Sequence, residues 1–150
     1  MASSLTASGL LAPVIALNGW TLTMEIWMYA TRLPVFTSLN ITGDNTLTRA
    51  QIDEKVPAPV RWIADNYNHL MEQPTNFYAV TLALAILKAG KEEAADVKLA
   101  WAYVALRVLH SFIQATTNNI PRRFVVFLTS SGVLGTLTFR AAKALWEQAQ

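Results

Sequence analysis

Four long apolar segments divide the chain, and polar connectors separate them. The segments run over about 10–29, 76–87, 97–117 and 124–142. Three of them are near the roughly 20 residues that a helix needs to cross a bilayer. The apolar runs are too long for strands and lack period-two alternation. The pattern therefore predicts an all-α membrane protein with four long helices.

The connectors carry residues that end helices and form turns. Residues 33–60 contain three prolines and a Gly-Asp-Asn stretch, which predict a loop, and TRAQIDEKV within it predicts a short surface helix. In KAGKEEAAD a tight turn is expected, with Gly90 as the helix stop, while Pro121 is well placed to open the last helix. Together these signals predict one domain, 1–150, with helices at about 10–31, 60–88, 96–118 and 122–146.

The composition indicates a membrane protein rather than a soluble helical domain. Hydrophobic residues make up 53% and charged residues 15% of the chain, whereas about a quarter of a typical soluble domain is charged. The net charge of +2 is too small for the electrostatic footprint of a nucleic-acid-binding protein. The chain has no cysteine, which excludes disulfides and thiolate metal sites. We therefore expect an integral membrane protein that does not bind nucleic acid.

Polar residues inside the predicted helices are aligned along helix faces. Because a helix advances about 100° per residue, positions three or four apart share a face. Three such stripes occur: Asn18, Thr21, Glu25, Tyr29 and Arg32; Arg61, Asp65, Asn68, Glu72 and Asn76; and Tyr103, Arg107, His110, Ser111, Gln114 and Asn118. Charged groups in a bilayer cost kilocalories each, so the stripes should face one another, or a ligand, inside the bundle.

The charged residues of these stripes allow a structural interpretation as well as a functional one. Four of them could form ion pairs that fix helix register: Glu25, Arg32, Glu72 and Arg107. His69 and His110 could ligate haem or could be hydrogen-bonded interior residues. The chain shows no tight histidine and carboxylate cluster, no P-loop and no serine nucleophile motif. We therefore predict no metal site.

Three stretches resemble the MAPEG superfamily of membrane-associated proteins in eicosanoid and glutathione metabolism, and in particular a bacterial branch of it. They are RWIADNYNHLMEQPTNFY, AWAYVALRVLHSF and NNIPRRF, and the resemblance spans about residues 10–142. It implies a bundle of four transmembrane helices that assembles as a homotrimer in the bacterial inner membrane. It also implies that glutathione is held between neighbouring subunits.

The resemblance assigns glutathione contacts to the first two long helices. Arg32 matches a family arginine that contacts a ligand carboxylate, and Glu72 matches the family glutamate of the second helix. Asn68 is the asparagine nearest to the family's position, although it lies four residues before the glutamate rather than three. Asp65 stands at the family's arginine position, with Arg61 one turn upstream. The resemblance thus implies binding by Arg32, Arg61, Asn68 and Glu72.

The resemblance assigns further contacts to the third and fourth helices. Arg107 and His110 match an R-x-x-H/Y pattern, and Gln114 stands where the family often has a ligand-contacting tyrosine. Arg122 or Arg123 matches the arginine that stabilises the glutathione thiolate in catalytic members, and we favour Arg123. These matches imply ligand contacts by Arg107, His110 and Gln114, and catalysis by one of the two adjacent arginines.

The chemistry of these residues suits glutathione. Guanidinium groups bind its two carboxylates, Glu72 suits its ammonium group, and a nearby guanidinium lowers the pKa of its thiol from about 8.5. We therefore expect a membrane glutathione transferase or peroxidase-like enzyme that acts on apolar electrophiles or lipids arriving through the bilayer. The alternatives are a non-catalytic family member that binds lipid or a partner protein, and a purely structural membrane trimer.

Overall fold

The structure, a computed structural model, describes residues 8–41, 43–88 and 91–150, and these form helices and connections without a strand. The helices are α1 (Leu11–Ser38), α2 (Arg49–Lys55), α3 (Ala58–Lys88), α4 (Ala94–Thr116) and α5 (Ile120–Gln148). The described part is therefore all-α, as the apolar pattern predicted. Four of its helices are long, and the short α2 lies in the predicted loop.

Local capping explains where α2 and α5 begin. The Thr48 hydroxyl accepts from the backbone N–H of Gln51, whose side chain accepts from the Thr48 backbone N–H, and this reciprocal pair satisfies donors that a helix start leaves free. Asn119 caps α5 by accepting from the backbone N–H of Arg122 at 3.1 Å, and Pro121 lies in the first turn. The short helix predicted in TRAQIDEKV and the predicted place of Pro121 at the start of the last helix are therefore confirmed.

The first helix continues beyond its predicted end. The sequence pattern ends it near residue 31, but α1 runs to Ser38 with Pro34 inside it. A proline removes one backbone hydrogen bond and kinks a helix without having to end it. The half-buried Val35 and Phe36 continue the packing past the proline. At the other predicted boundary α3 ends at Lys88, and Gly90, the predicted stop, lies outside the described residues.

Helices α3 and α4 form the middle of the bundle. They pack against each other, and each also contacts α1 and α5. Their antiparallel register is visible where the Phe77 ring stacks on the Tyr103 ring at 4.4 Å between centroids. Consequently the last residues of α1 and α4 and the first residues of α3 and α5 lie at the same end of the bundle. We call it the site end.

An ion-pair cluster closes the opposite end of the bundle. Asp96 is fully buried at the start of α4, where its carboxylate lies 3.1 Å from the Lys88 ammonium and accepts from the Arg140 guanidinium. The Glu93 carboxylate also accepts from Lys88 at 2.9 Å and lies 2.8 Å from Arg140. These contacts tie the end of α3 and the start of α4 to α5.

The outer surfaces of α1 and α5 are rich in apolar side chains. Among the exposed ones are Ile15 at 70%, Ile26 at 69% and Phe139 at 69%. Large exposed apolar side chains in such number are typical of a membrane or protein interaction surface rather than a solvated face. Among the described residues, one helix, α5, is long and apolar enough to cross a membrane, with a mean hydropathy of 1.4. The apolar segments predict four such helices, but polar stripes lower the hydropathy of the other long ones.

Candidate functional site

Five of the nine residues implied as site residues line two cavities at the site end. The first cavity, of about 220 Å³, lies between α1, α2 and the start of α3. We call it the arginine cavity, and its lining is Arg32, Arg49, Asp53, Val56, Val60, Arg61, Ala64, Asp65 and Asn68. The second, of about 210 Å³, lies between α3, α4 and α5. We call it the histidine cavity, and its lining is His69, His110, Ile120, Arg123, Phe124 and Phe127.

The arginine cavity carries more positive than negative charge. Three guanidinium groups from three helices line it together with the carboxylates of Asp53 and Asp65. Among the described residues, its ion pair joins Arg49 to Asp53 at 3.8 Å, on the exposed surface of α2, where such a pair contributes little. Arg61 has a buried Nε atom without a hydrogen-bond partner among the described residues. The cavity thus presents guanidinium donors that are free to bind an anion.

The histidine cavity combines an apolar wall with three nitrogen-bearing side chains. Phe124 and Phe127 of α5 provide part of the wall, and the His69 and His110 rings meet edge to face at 6.1 Å between centroids. The His69 Nδ1 atom lies 3.1 Å from the Oε2 atom of Glu72, one turn further along α3. Glu72 therefore contacts this cavity through His69 and lies outside the arginine cavity.

The structure separates the two adjacent arginines at the start of α5. Arg122 is exposed and lines neither cavity. Arg123 is half-buried, lines the histidine cavity and donates to the side-chain oxygen of Asn118. Its Nε atom is buried and has no hydrogen-bond partner in the part of the chain that the structure describes. Of the two candidates for thiolate stabilisation, Arg123 is the one positioned beside a cavity.

Arg107 lies in a buried network rather than in either cavity. Its guanidinium donates to the Gln73 carboxamide oxygen and, at 3.0 Å, to the Tyr103 hydroxyl. Gln73 in turn donates to the Ser131 hydroxyl at 2.7 Å, so the network joins α3, α4 and α5. No carboxylate of the described residues lies within 4.0 Å of Arg107. The structural interpretation of Arg107 as an ion-pair partner is therefore wrong within the described chain.

Gln114 is also buried away from both cavities. It is 1% exposed, and its Oε1 atom has no hydrogen-bond partner among the described residues. Asn66 on α3 is fully buried, and neither its Oδ1 nor its Nδ2 atom has a partner there. Gln73 faces Arg107, and Phe77 faces Tyr103, across the antiparallel helices α3 and α4. Continued along both helices, the same register places Asn66 at the level of Gln114. Unpaired buried amides of this kind mark a place where a bound molecule or a neighbouring chain can complete the hydrogen bonds.

A family model described as the MAPEG family matches residues 10–143. The chain belongs to the MAPEG family. No curated protein and no solved structure gives a significant match to the chain. The resemblance found in the sequence motifs is thereby confirmed, and with it an association with membranes. Membership is also consistent with a glutathione-related function.

The polar stripes of this MAPEG chain do not all point inward. The α4 stripe is buried, since Tyr103, Arg107 and Gln114 are each at most 1% exposed. The α3 stripe lies mainly on the outside, with Asp65, Asn68, Glu72 and Asn76 exposed. The expectation that the stripes satisfy one another within the bundle is therefore wrong for α3. In a membrane an exposed polar stripe has to meet water or another protein chain, because lipid cannot solvate it.

Sequence reasoning missed three features of the MAPEG site. Arg49 and Asp53 line the arginine cavity because α2 folds back against α1 and α3, which local sequence does not reveal. Asp65, which stands at the family's arginine position, was not among the predicted binding residues, yet it lines the same cavity as Arg61. The pairing of His69 with Glu72 could have been found from their spacing of three residues on a helix.

Proposed function

We propose that this MAPEG protein is an integral membrane enzyme that uses glutathione as co-substrate, as a transferase or a peroxidase-like enzyme acting on apolar electrophiles or lipids. The arginine cavity is the observation that carries this proposal. It gathers Arg32, Arg61 and Asn68, three residues that the family resemblance implies as glutathione contacts, although they come from two helices. Arg61 also has a buried Nε atom without a partner.

The lining of the arginine cavity matches the charged groups of glutathione. The guanidinium groups of Arg32 and Arg61 suit its carboxylates, because a guanidinium donates two parallel hydrogen bonds to such a group. Asp65 suits the ammonium group, and the Asn68 amide suits a peptide bond. Asp65 thereby takes the role that the resemblance gave to Glu72, whose carboxylate contacts His69 instead. The replacement of the family's arginine by Asp65 then has a function, because the carboxylate binds the ammonium group of glutathione.

The histidine cavity provides a place for the thiol and the electrophile. Arg123 lies at the start of α5, where the positive end of the helix dipole adds to the guanidinium charge. Both effects stabilise a thiolate and lower the pKa of a thiol bound there. Phe124 and Phe127 offer apolar surface to a second substrate that arrives from the bilayer. His110 lines the same cavity, while Arg107 and Gln114 support the site from the interface behind it.

Assembly as a homotrimer of four-helix transmembrane subunits completes the proposal. The exposed α3 stripe needs a partner within the membrane, and Asp65 and Glu72 belong to it. Contact between subunits along this stripe brings the arginine cavity of one chain close to a neighbouring chain. Glutathione held there would contact two subunits, as the family resemblance implies, and the orphaned amides of Asn66 and Gln114 would lie close behind it.

Glutathione titration by calorimetry in detergent tests the proposal. Arg61→Gln and Asp65→Asn should each weaken glutathione binding about 30-fold, which corresponds to about 2 kcal/mol for a charge-assisted contact. Lys98→Gln, an exposed change on α4, should bind as the wild type does. Unchanged binding in both cavity variants would show that glutathione does not use the arginine cavity.

One observation favours the non-catalytic alternative. The wall of the histidine cavity continues onto the outer surface, since Ile120 is 71% and Phe124 is 62% exposed. A cavity that opens towards lipid can hold an acyl chain without any chemistry. If lipid binds in this cavity and glutathione also binds, but no electrophile yields a glutathione conjugate, the result would favour a lipid-binding family member.

A further inference from the structure

We propose that His69 is the general base of the site and that Glu72 positions it. The proposal rests on the function proposed above and extends it from ligand binding to proton transfer. Neither the family resemblance nor the predicted site assigned His69 a part in the chemistry. Its contacts with Glu72 and with the histidine cavity carry the inference.

The contact with Glu72 fixes the tautomer of His69. A carboxylate oxygen can only accept a hydrogen bond, so the Nδ1 atom, which lies 3.1 Å from Glu72 Oε2, has to donate. In the neutral ring the proton is then on Nδ1, and Nε2 keeps its lone pair. When Nε2 takes a proton, the carboxylate stabilises the resulting imidazolium. Carboxylate–histidine pairs activate nucleophiles in this way in unrelated enzymes.

The side chain of His69 borders the proposed thiolate site. His69 lines the histidine cavity together with Arg123, the residue proposed to stabilise the thiolate. The His69 side chain is 37% exposed, so a ligand in the cavity can reach it. The buried His110 is on the α4 side of the same cavity.

Several charged or titratable groups of the described residues lie around His69. They are Glu72 on α3 itself, His110 on α4, Arg123 on α5, and Arg107 on α4, whose guanidinium lies 5.4 Å from the centroid of the cavity-lining Phe127 ring. The acidic residue of α1 is Glu25, which lies near Tyr67. Tyr67 precedes His69 by two residues and therefore lies on the opposite side of α3. Among the described residues, Glu72 is thus the carboxylate in contact with His69.

The Glu72 side chain is 66% exposed, and the position of its histidine partner beside a cavity distinguishes this pair from an ordinary surface pair on a helix. A pair exposed to water contributes only tenths of a kilocalorie per mole and has no reason to border a cavity. Here the pair lies about three turns into a helix of a membrane-associated bundle. Its histidine shares a cavity with a guanidinium that has an unpartnered Nε atom. The arrangement provides a base and a cation for one thiol.

The reaction is balanced with an aryl chloride as the electrophile. The Nε2 atom of His69 takes the thiol proton of glutathione, so the S–H bond breaks and an N–H bond forms. The thiolate then attacks the ring carbon, a C–S bond forms, and chloride leaves with the electron pair of the C–Cl bond. The Nε2 proton passes to water, which restores the base. Arg123 stabilises the anionic sulfur before the attack.

The test is the ultraviolet absorbance of the thiolate of bound glutathione, titrated against pH. In the wild type the bound thiol should ionise well below its usual pKa. His69→Asn should move the ionisation upward by about one pH unit or more, because the proton acceptor and its positive charge are lost. Glu72→Gln should move it in the same direction by less. Glu147→Gln, which removes a carboxylate from an exposed helical pair, should leave it unchanged.

Turnover with 1-chloro-2,4-dinitrobenzene provides a second readout. His69→Asn should lower kcat by about 100-fold or more while the calorimetric Kd for glutathione changes little. The acid limb of the wild-type pH profile should move to higher pH in His69→Asn, and by less in Glu72→Gln, together with the ionisation of the bound thiol.

The two proposals fail in different ways. If the wild type binds no glutathione, the proposed function fails, and the role of His69 fails with it. If the wild type binds glutathione and His69→Asn ionises the bound thiol at the wild-type pH, only the general base is refuted. If His69→Asn does not fold, Glu72→Gln decides, because a purely structural Glu72 would not shift the thiol ionisation.

Discussion

The buried guanidinium of Arg107 donates to the carboxamide oxygen of Gln73, a neutral partner on the facing helix. Arg107 is 1% exposed, and its other partner, the Tyr103 hydroxyl, is also uncharged. A buried cation costs several kilocalories unless its donors are satisfied. Gln73 is therefore as important for the α3–α4 interface as the arginine itself.

Removing the Gln73 acceptor should destabilise the bundle. Gln73→Leu leaves a buried guanidinium donor without its partner, and we expect a loss of about 1.5–3 kcal/mol in the free energy of unfolding. Gln73→Glu should retain more stability, because its carboxylate accepts from the same donor. The apparent unfolding midpoint in detergent, followed by tryptophan fluorescence, measures both effects. Wild-type stability of Gln73→Leu would show that the network contributes nothing.

The ion-pair cluster opposite the site end should make stability depend on pH. Hydrogen bonds from Lys88, and then from Arg140, hold the pKa of the Glu93 carboxyl below its usual value of 4.5. Such a group stabilises the folded state above that pH, and the contribution is lost as the pH falls through its folded pKa. The unfolding midpoint should therefore decrease below about pH 5.

A comparison of two glutamate variants isolates this effect. Glu93→Gln should give a shallower decrease of the unfolding midpoint towards low pH than the wild type. Glu147→Gln, in an exposed pair with Lys143 at 3.6 Å, should keep the wild-type slope. Equal slopes in the wild type and Glu93→Gln would mean that Glu93 does not contribute to the acid sensitivity.

Replacing the unpaired amide of Asn66 should stabilise the isolated protein. Asn66 is fully buried and its side-chain atoms have no partner among the described residues. An unsatisfied buried polar group costs about 1–3 kcal/mol, and leucine fills a similar volume without that cost. Asn66→Leu should therefore raise the unfolding midpoint. A large decrease would instead reveal that a bound molecule or a neighbouring subunit completes the hydrogen bonds of the amide.

Membrane insertion and assembly can be measured together. The apolar outer surface of α1 and α5 predicts that the protein stays in carbonate-washed membranes and is extracted only by detergent. The exposed α3 stripe and the family resemblance predict three copies in native mass spectrometry. Asp65 and Glu72 lie in that stripe. A monomer that is soluble without detergent would contradict both expectations.

The sequence predicted the helices better than it predicted where their faces point. The spacing of Tyr103, Arg107 and Gln114 correctly placed these residues on one face of α4, and the structure buries them. The same periodicity placed Asp65 and Glu72 on one face of α3, which is exposed. Periodicity shows which residues share a face, but the direction of that face depends on the packing of neighbouring helices.

Contacts between distant residues were also beyond the reach of the sequence. Asp96 pairs with Arg140 across two helices, so no local spacing revealed it as a buried anion. Arg122 and Arg123 are adjacent and differ by about 100° around the helix, and only the packing of α5 shows which of them borders a cavity. Local signals succeeded where the cause is local, as at Pro121 in the first turn of α5.

Whether glutathione binds in the arginine cavity can be seen in an electron cryomicroscopy map of the protein purified in detergent with saturating glutathione. We expect three chains and glutathione density in each arginine cavity, with carboxylates against Arg32 and Arg61 and the sulfur directed towards the histidine cavity. A map in which the arginine cavities stay empty at saturating glutathione, or hold lipid instead, would contradict this expectation.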